Sequence, residues 1–213
     1  MFSSEPIPGN PWPRDMMITI EDDLQQVLEL LWIREAWLLE PVGPDLPPLL
    51  VDTPVPVATS VRAAAPVQEW REAWSRTWGA VVAHAGIAQD PDLFGRLQCS
   101  PDRSDERARL LRELMGPSWQ EELGAAAGPD ELQQWMYAQF ERRASRRPVR
   151  LEERPERAAL DALIPAWRRG LTKIVEIPCE GTYTRRIGEH TLLVTAETRA
   201  DTARYGAALA SFA

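Results

Sequence analysis

Nineteen prolines divide the chain of 213 residues into short segments and limit where its helices begin and end. Proline lacks a backbone N–H and clashes with the preceding helical turn, so it is accepted in the first turn of a helix but stops one further along. Four prolines lie within residues 6–13 and seven within residues 41–66. We therefore predict a flexible Pro-rich tail over residues 1–17 and an extended Pro/Val-rich segment over residues 40–66, within a single globular domain that covers residues 18–213.

Between the prolines, apolar residues recur at helical spacing. The pattern predicts helices at about residues 20–39, 67–85, 105–115 and 130–145, and a further helix from Pro155. Thr19 is the predicted N-cap of the first helix, because acidic residues follow it in the first turn. This first helix is apolar on two sides. Either it is sandwiched within the domain or one side meets a partner, and the sandwiched arrangement is the commoner of the two.

The period of the apolar residues changes near the C-terminal end of the chain. Alternating, β-branched residues over 171–177, 181–187 and 190–195 are typical of short strands separated by turns. Strands spaced so closely favour a three-stranded antiparallel meander, and a last helix follows, capped by Thr198 or Asp201. The sequence thus predicts an α+β fold that is mainly helical over its N-terminal two-thirds and ends in a small meander and a closing C-terminal helix.

Trp70, Trp74 and Trp78 recur every four residues in the predicted helix 67–85, so their three indoles share one face. One interpretation is that the rings anchor the core, where aromatic side chains bury large areas. The other is an exposed platform on which a base, a sugar or a cation stacks, which would make the three tryptophans binding residues. We favour the core, because no basic residues interleave with the rings on that face.

Residues 1–100 carry the whole of the net charge of −8, because the rest of the chain is neutral. The neutral part contains a band of arginines, whose candidate binding residues are Arg142, Arg143, Arg146, Arg147 and Arg150. Most of them fall at the predicted C-terminus of a helix, where cations offset the helix dipole and can pair with acids such as Asp22 and Asp23. A structural role is therefore favoured. An acidic protein partner comes next, and nucleic acid is the least favoured, since no basic domain or binding motif accompanies the band.

Catalytic and metal-binding signatures are missing from the sequence. It contains no Gly-rich phosphate loop, no HExxH and no GxSxG motif. Cys179 and His190 lie near turns of the predicted meander, but proximity alone is weak evidence for a thiolate–imidazole pair. Cys99 and Cys179 give neither a disulfide framework nor the spacing of a metal site. We therefore predict no catalytic residue, no metal site and no cofactor.

The sequence contains no stretch of about 18 apolar residues, which a helix would need to cross a membrane. Isolated cysteines are typical of proteins in a reducing cytosol. Basic residues that are almost all arginine indicate a GC-rich bacterial genome. We predict a non-catalytic protein-interaction or accessory subunit of a cytosolic bacterial assembly, acting through a protein partner or as a homo-oligomer. Its candidate surfaces are the first helix and the Pro/Val-rich segment. The alternative is an enzyme or small-ligand binder with an Arg-lined anion pocket between the helices and the meander.

Overall fold

A four-stranded sheet and the helices on its two faces form an α+β fold, the class predicted from the sequence. The computed structural model describes residues 6–7, 10–88, 90–145 and 150–212. The helices are α1 (Gln25–Ala36), α2 (Thr59–Ala64), α3 (Val67–Ala85), α4 (Leu93–Cys99), α5 (Asp105–Met115), α6 (Trp119–Leu123), α7 (Asp130–Ala144), α8 (Pro155–Ala158), α9 (Leu160–Arg168), α10 (Ala196–Ala200) and α11 (Thr202–Ala210). The strands are β1 (Pro6–Ile7), β2 (Asn10–Pro13), β3 (Thr19–Glu21), β4 (Lys173–Ile177), β5 (Thr184–Arg186) and β6 (Thr191–Thr195).

The first predicted helix begins later than expected. Residues Thr19–Glu21 form β3, which pairs in parallel with β4 and places Ile20 opposite Ile174. The prediction of a helix that starts at residue 20 is therefore wrong, and α1 starts only at Gln25. Pairing with a strand far away in the sequence satisfies the backbone groups of β3, and this tertiary contact overrides the local pattern of a cap followed by acids.

The sheet is mixed, with the strand order β3-β4-β6-β5. β3, β4 and β6 run parallel, and β5 pairs antiparallel with β6. The predicted three-stranded antiparallel meander is wrong in its strand order. Its three strands are present, but β6 lies between β4 and β5 and pairs in parallel with β4. Alternation of apolar residues identifies strands and does not identify their neighbours. Every residue of β6 is buried, as its central position requires.

Local signals set the bounds of the middle helices. The predicted helices at residues 67–85, 105–115 and 130–145 are confirmed as α3, α5 and α7. The closing helix is divided into α10 and α11. Of its two predicted caps, Asp201 accepts a hydrogen bond at the start of α11, whereas Thr198 lies inside α10.

The N-terminal Pro-rich segment contacts the rest of the protein in its described part. β1 and β2 pair with each other. Trp12 Nε1 donates a hydrogen bond of 3.0 Å to the carbonyl oxygen of Met16, and the side chain of Met16 is buried in the core beneath the sheet. The flexibility of residues 1–17 and the single domain over residues 18–213 stay predictions.

The second Pro-rich segment crosses the surface and is joined to the end of β4. Residues 40–58, all of them described, contain no helix. Leu50 forms an isolated antiparallel bridge with Cys179, and Val51 N donates to the carbonyl oxygen of Pro178 at 3.0 Å. The end of the segment forms the short helix α2.

α1 lies at the centre of the larger core. All of its residues from Val27 to Ala36 are buried, and α3 and α7 pack against it, which confirms that this helix is sandwiched within the protein. A second core lies between the other face of the sheet and the helices α9 and α11. A third, small core joins α4 to α5. Because α1 is covered, the first of the two candidate surfaces lies inside the molecule.

Candidate functional site

The three tryptophans of α3 form part of the core. Trp70, Trp74 and Trp78 are each no more than 3% exposed. The rings of Trp74 and Trp78 stack with their centroids 5.4 Å apart, and Trp70 meets Trp37 edge-on at 4.7 Å. A stacking platform would need exposed faces, so these rings instead anchor α3 on α1.

The structure brings together only part of the arginine band. Arg142 Nη2 pairs with Asp52 Oδ2 at 2.7 Å, and Arg143 Nη1 donates to the carbonyl oxygen of Asp22 at 3.5 Å. Arg150 is exposed. Two members lie outside the described residues, namely Arg146 and Arg147. Arg142 thus pairs with an acidic residue of the N-terminal part, although with Asp52 and not with Asp22 or Asp23, and the contact of Arg143 with Asp22 is to its backbone.

Arg142 and Arg143 line a cleft of about 200 Å³ between α7 and the carboxyl ends of β3 and β4. Open sheets with parallel strands commonly bind ligands at this edge, and the cleft lies where the Arg-lined pocket is predicted. The carboxylate residues Asp22, Asp52 and Glu176 line it as well. An anion bound here would meet three carboxylates and two guanidinium groups, so the geometry does not favour an anion site.

A buried charge cluster next to this cleft joins α8, β4, α10 and α11. Arg199 donates to both carboxylate oxygens of Glu156, at 2.7 and 3.0 Å, and to Glu176 Oε2 at 2.7 Å. The hydroxyl of Tyr205 donates to Glu156 Oε1 at 3.1 Å. Burial and the negative charge of Glu156 raise the pKa of Tyr205 far above its usual range. Burial alone would lower the pKa of Arg199, but the hydrogen bonds and charges of the two glutamates outweigh it and raise that pKa.

The sequence interpretation missed this charge cluster. The available signal was Glu176, a carboxylate inside an otherwise apolar, β-branched strand, since a buried charge needs a partner. The partner, Arg199, could not be chosen from the sequence because many arginines are equally plausible. Each side chain of the cluster bonds to another member of it, so the arrangement is suited to holding helices on the sheet.

A second buried ion pair fastens the Pro/Val-rich segment to α1. Arg34 and Glu35 have side chains that are each 5% exposed, and they pair at 2.9 Å. Arg34 also donates to the carbonyl oxygens of Pro47 and Pro48, both at 2.6 Å. Glu35 Oε1 accepts a hydrogen bond of 2.7 Å from the backbone N–H of Leu50. A buried carboxylate needs a partner, and Arg34 supplies it for Glu35. We call these contacts the Arg34–Glu35 latch.

Cys179 and His190 are not arranged as a catalytic pair. Cys179 is fully buried, and burial raises the pKa of its thiol to about 12. A nucleophilic cysteine needs the opposite shift. His190 is exposed, and its Nδ1 lies 2.9 Å from the carbonyl oxygen of Gly170. Within the described residues, no group of three or more His, Cys, Asp and Glu side chains is placed to hold a metal ion.

Two apolar surfaces remain. The first, which we call the hairpin face, consists of Phe94, Leu111 and Met115, which are 59%, 41% and 55% exposed. The second, which we call the Trp cleft, has a volume of about 550 Å³ and contains Trp32, Trp37 and Trp135. Its other walls are residues 54–58 and Val61, and four residues around the start of α7, namely Ala126, Pro129, Glu131 and Gln134.

Comparison of the chain with protein-family models, with curated proteins and with solved structures gives no match. Within the described residues, every helix is too short or too polar to cross a membrane.

Proposed function

We propose that this chain is a non-catalytic protein-binding subunit of a bacterial cytosolic assembly, acting as an accessory subunit or by binding a second copy of itself. The hairpin face is the observation that carries the proposal. Side chains of this size are normally covered, and grouped apolar side chains at a surface are typical of protein contacts.

The geometry of the hairpin places the three side chains together. α4 and α5 are joined by residues 100–104 and pack against each other. A connection this short is typical of an antiparallel helical hairpin, which we infer for this pair. Leu93, Leu97 and Leu110 are buried between them, and Leu114 packs against this core. Both helices are right-handed, but in an antiparallel pair the chain runs up one helix and down the other. Viewed along one axis, successive residues therefore rotate in opposite senses. The residue that directly follows a contact position then points to the same side of the pair in both helices.

Each residue of the hairpin face follows one of those contact positions. Phe94 comes after Leu93, Leu111 after Leu110 and Met115 after Leu114, so all three lie on one side of the hairpin. Covering each of these half-exposed side chains would contribute on the order of 1 kcal/mol. A core of three buried leucines is also a weak support for a helical hairpin, and a partner that covers its outer face would strengthen it.

Other features of the chain support a binding function in the bacterial cytosol. Cys179, the cysteine of the candidate thiolate–imidazole pair, is buried, which leaves that pair without support. Both cysteines are free, as is typical of a reducing compartment. The alternative of an Arg-lined anion pocket receives less support, because the cleft near Arg142 holds an excess of carboxylates.

The test is site-specific photo-crosslinking in a bacterial host, combined with sedimentation analysis of the purified protein. A photoreactive residue at position 111 should crosslink to one defined species, either a second copy or one other protein. The same residue at position 137 is the control, because Tyr137 is 65% exposed and lies on α7, outside the hairpin and the Pro/Val-rich segment. Phe94→Asp should abolish the crosslink from position 111. A monomeric protein with no more crosslinking at 111 than at 137 would refute the proposal.

A further inference from the structure

We propose that the Trp cleft binds a small organic cation, that is, a ligand with an ammonium group on an apolar body. The proposal goes beyond protein binding and uses a different part of the molecule from the hairpin face. The cleft, at about 550 Å³, falls within the range of small-molecule pockets, which is roughly 300–1,000 Å³.

The walls of the cleft suit an apolar body. Trp32, on α1, and Trp37, which directly follows α1, line it but are only 2% and 3% exposed. Most of the apolar area open to a ligand therefore belongs to residues 54–58, a strap of proline, valine and alanine, and to the half-buried Pro129 and Trp135. A ligand that replaces water against these side chains gains free energy in proportion to the apolar area that it covers.

The cleft is largely formed before a ligand arrives. Trp37 Nε1 donates to the carbonyl oxygen of Ala127 at 2.8 Å, which fixes the indole. The strap is held at one end, because Val57 N donates to the carbonyl oxygen of Ala36 at 2.8 Å. Preorganised walls reduce the ordering that binding would otherwise require.

Glu131 and Trp135 select a cation for the charged end of the ligand. They lie four positions apart on α7 and therefore on the same side of that helix. Of the described residues that line the cleft, Glu131 alone is charged. An ammonium group placed there meets a carboxylate and the partly exposed indole of Trp135, the pair of groups that attracts organic cations.

The experiment measures binding of three probes to the full chain by titration calorimetry and tryptophan fluorescence. The probes are benzyltrimethylammonium, its neutral isostere neopentylbenzene, and phenylacetate. The cation should bind about fivefold tighter than the neutral isostere, and phenylacetate should bind more weakly than either. Added salt should reduce the preference for the cation, because Glu131 is exposed.

Two variants locate the site. Glu131→Gln should remove the preference for the cation and its salt dependence while leaving the affinity for neopentylbenzene unchanged. Glu141→Gln, a matched change on the same helix but outside the cleft, should behave like the wild type. Ala126→Phe places a ring at an exposed position of the cleft wall and should weaken the binding of both benzyltrimethylammonium and neopentylbenzene. The proposal is overturned if the cation and its isostere bind equally, if Glu131→Gln matches Glu141→Gln, or if Ala126→Phe leaves both affinities intact.

Discussion

The Arg34–Glu35 latch should contribute more to stability than any exposed ion pair of this protein. Glu35→Ala removes the carboxylate that accepts from Arg34 and from the backbone N–H of Leu50. The guanidinium group of Arg34 is then left buried with carbonyl oxygens as its hydrogen-bond partners and no counter-charge. Removing one member of a buried pair costs about 3–5 kcal/mol, which is a large share of the roughly 5–15 kcal/mol that stabilises a typical domain.

The companion change Arg34→Met roughly keeps the volume of the side chain. It removes the guanidinium group that donates to the carbonyl oxygens of Pro47 and Pro48, and it leaves Glu35 charged and buried. We expect a cost similar to that of Glu35→Ala. The double variant Arg34→Met/Glu35→Leu removes both charges, so its cost should fall well below the sum of the two single changes. The difference is the coupling energy, which for groups in direct contact reaches about 3 kcal/mol.

Urea unfolding followed by tryptophan fluorescence measures these free energies, and amide exchange at Leu50 reports on the latch itself. Arg142→Ala is the control, because Arg142 and Asp52 are paired but 54% and 41% exposed. It should cost less than about 1 kcal/mol. The latch does not contribute more than an exposed ion pair if Glu35→Ala costs no more than this control. Its two charges are not coupled if the costs of the two single changes add up in the double variant.

The remaining predictions concern the two cysteines and two of the glycines. Cys179 should resist thiol reagents in the folded protein while the exposed Cys99 reacts, as mass spectrometry will show. Because the pKa of the Cys179 thiol rises from 9.0 to about 12 on folding, its contribution to stability is full below pH 9 and is lost as the pH rises towards 12, and Cys179→Ala should lack this loss in unfolding experiments. Gly86→Ala should destabilise by roughly 2 kcal/mol in the same experiments, because the new Cβ would overlap the carbonyl oxygen of Ile187. Gly79→Ala, a change on α3 into open space, should stabilise by about 0.5–1 kcal/mol.

The sequence predicts elements whose limits are local. α3 begins directly after Pro66, and the conformational preference of proline sets this limit. β3 is different, because only its pairing with β4 makes it a strand, and residues 19–21 carry no signal of that partner. The same reason explains the wrong order of the C-terminal strands, since alternation does not reveal that β6 lies beside β4.

The candidate sites show the same division. The four-residue spacing of Glu131 and Trp135 is visible in the sequence, yet it has no meaning until residues 54–58 cross in front of α1 to make a cleft. The hairpin face depends on the direction of two helices relative to each other. The arginine band is visible at once from its charge, but its partner Asp52 lies in the Pro/Val-rich segment, which the sequence predicts only as extended chain.

Ion pairs within a single copy join the acidic N-terminal part of the chain to the remainder without removing its excess of acid. Asp52 meets Arg142, and Glu21 meets Lys173 at 3.3 Å, so acids of the N-terminal part pair with cations of the remainder. Charges that are already paired in this way gain little by pairing with a partner instead, because the internal contact must first be broken. A protein partner of this chain should therefore be recognised mainly by apolar contact. This consequence favours the hairpin face over the arginine band as the place where a partner binds.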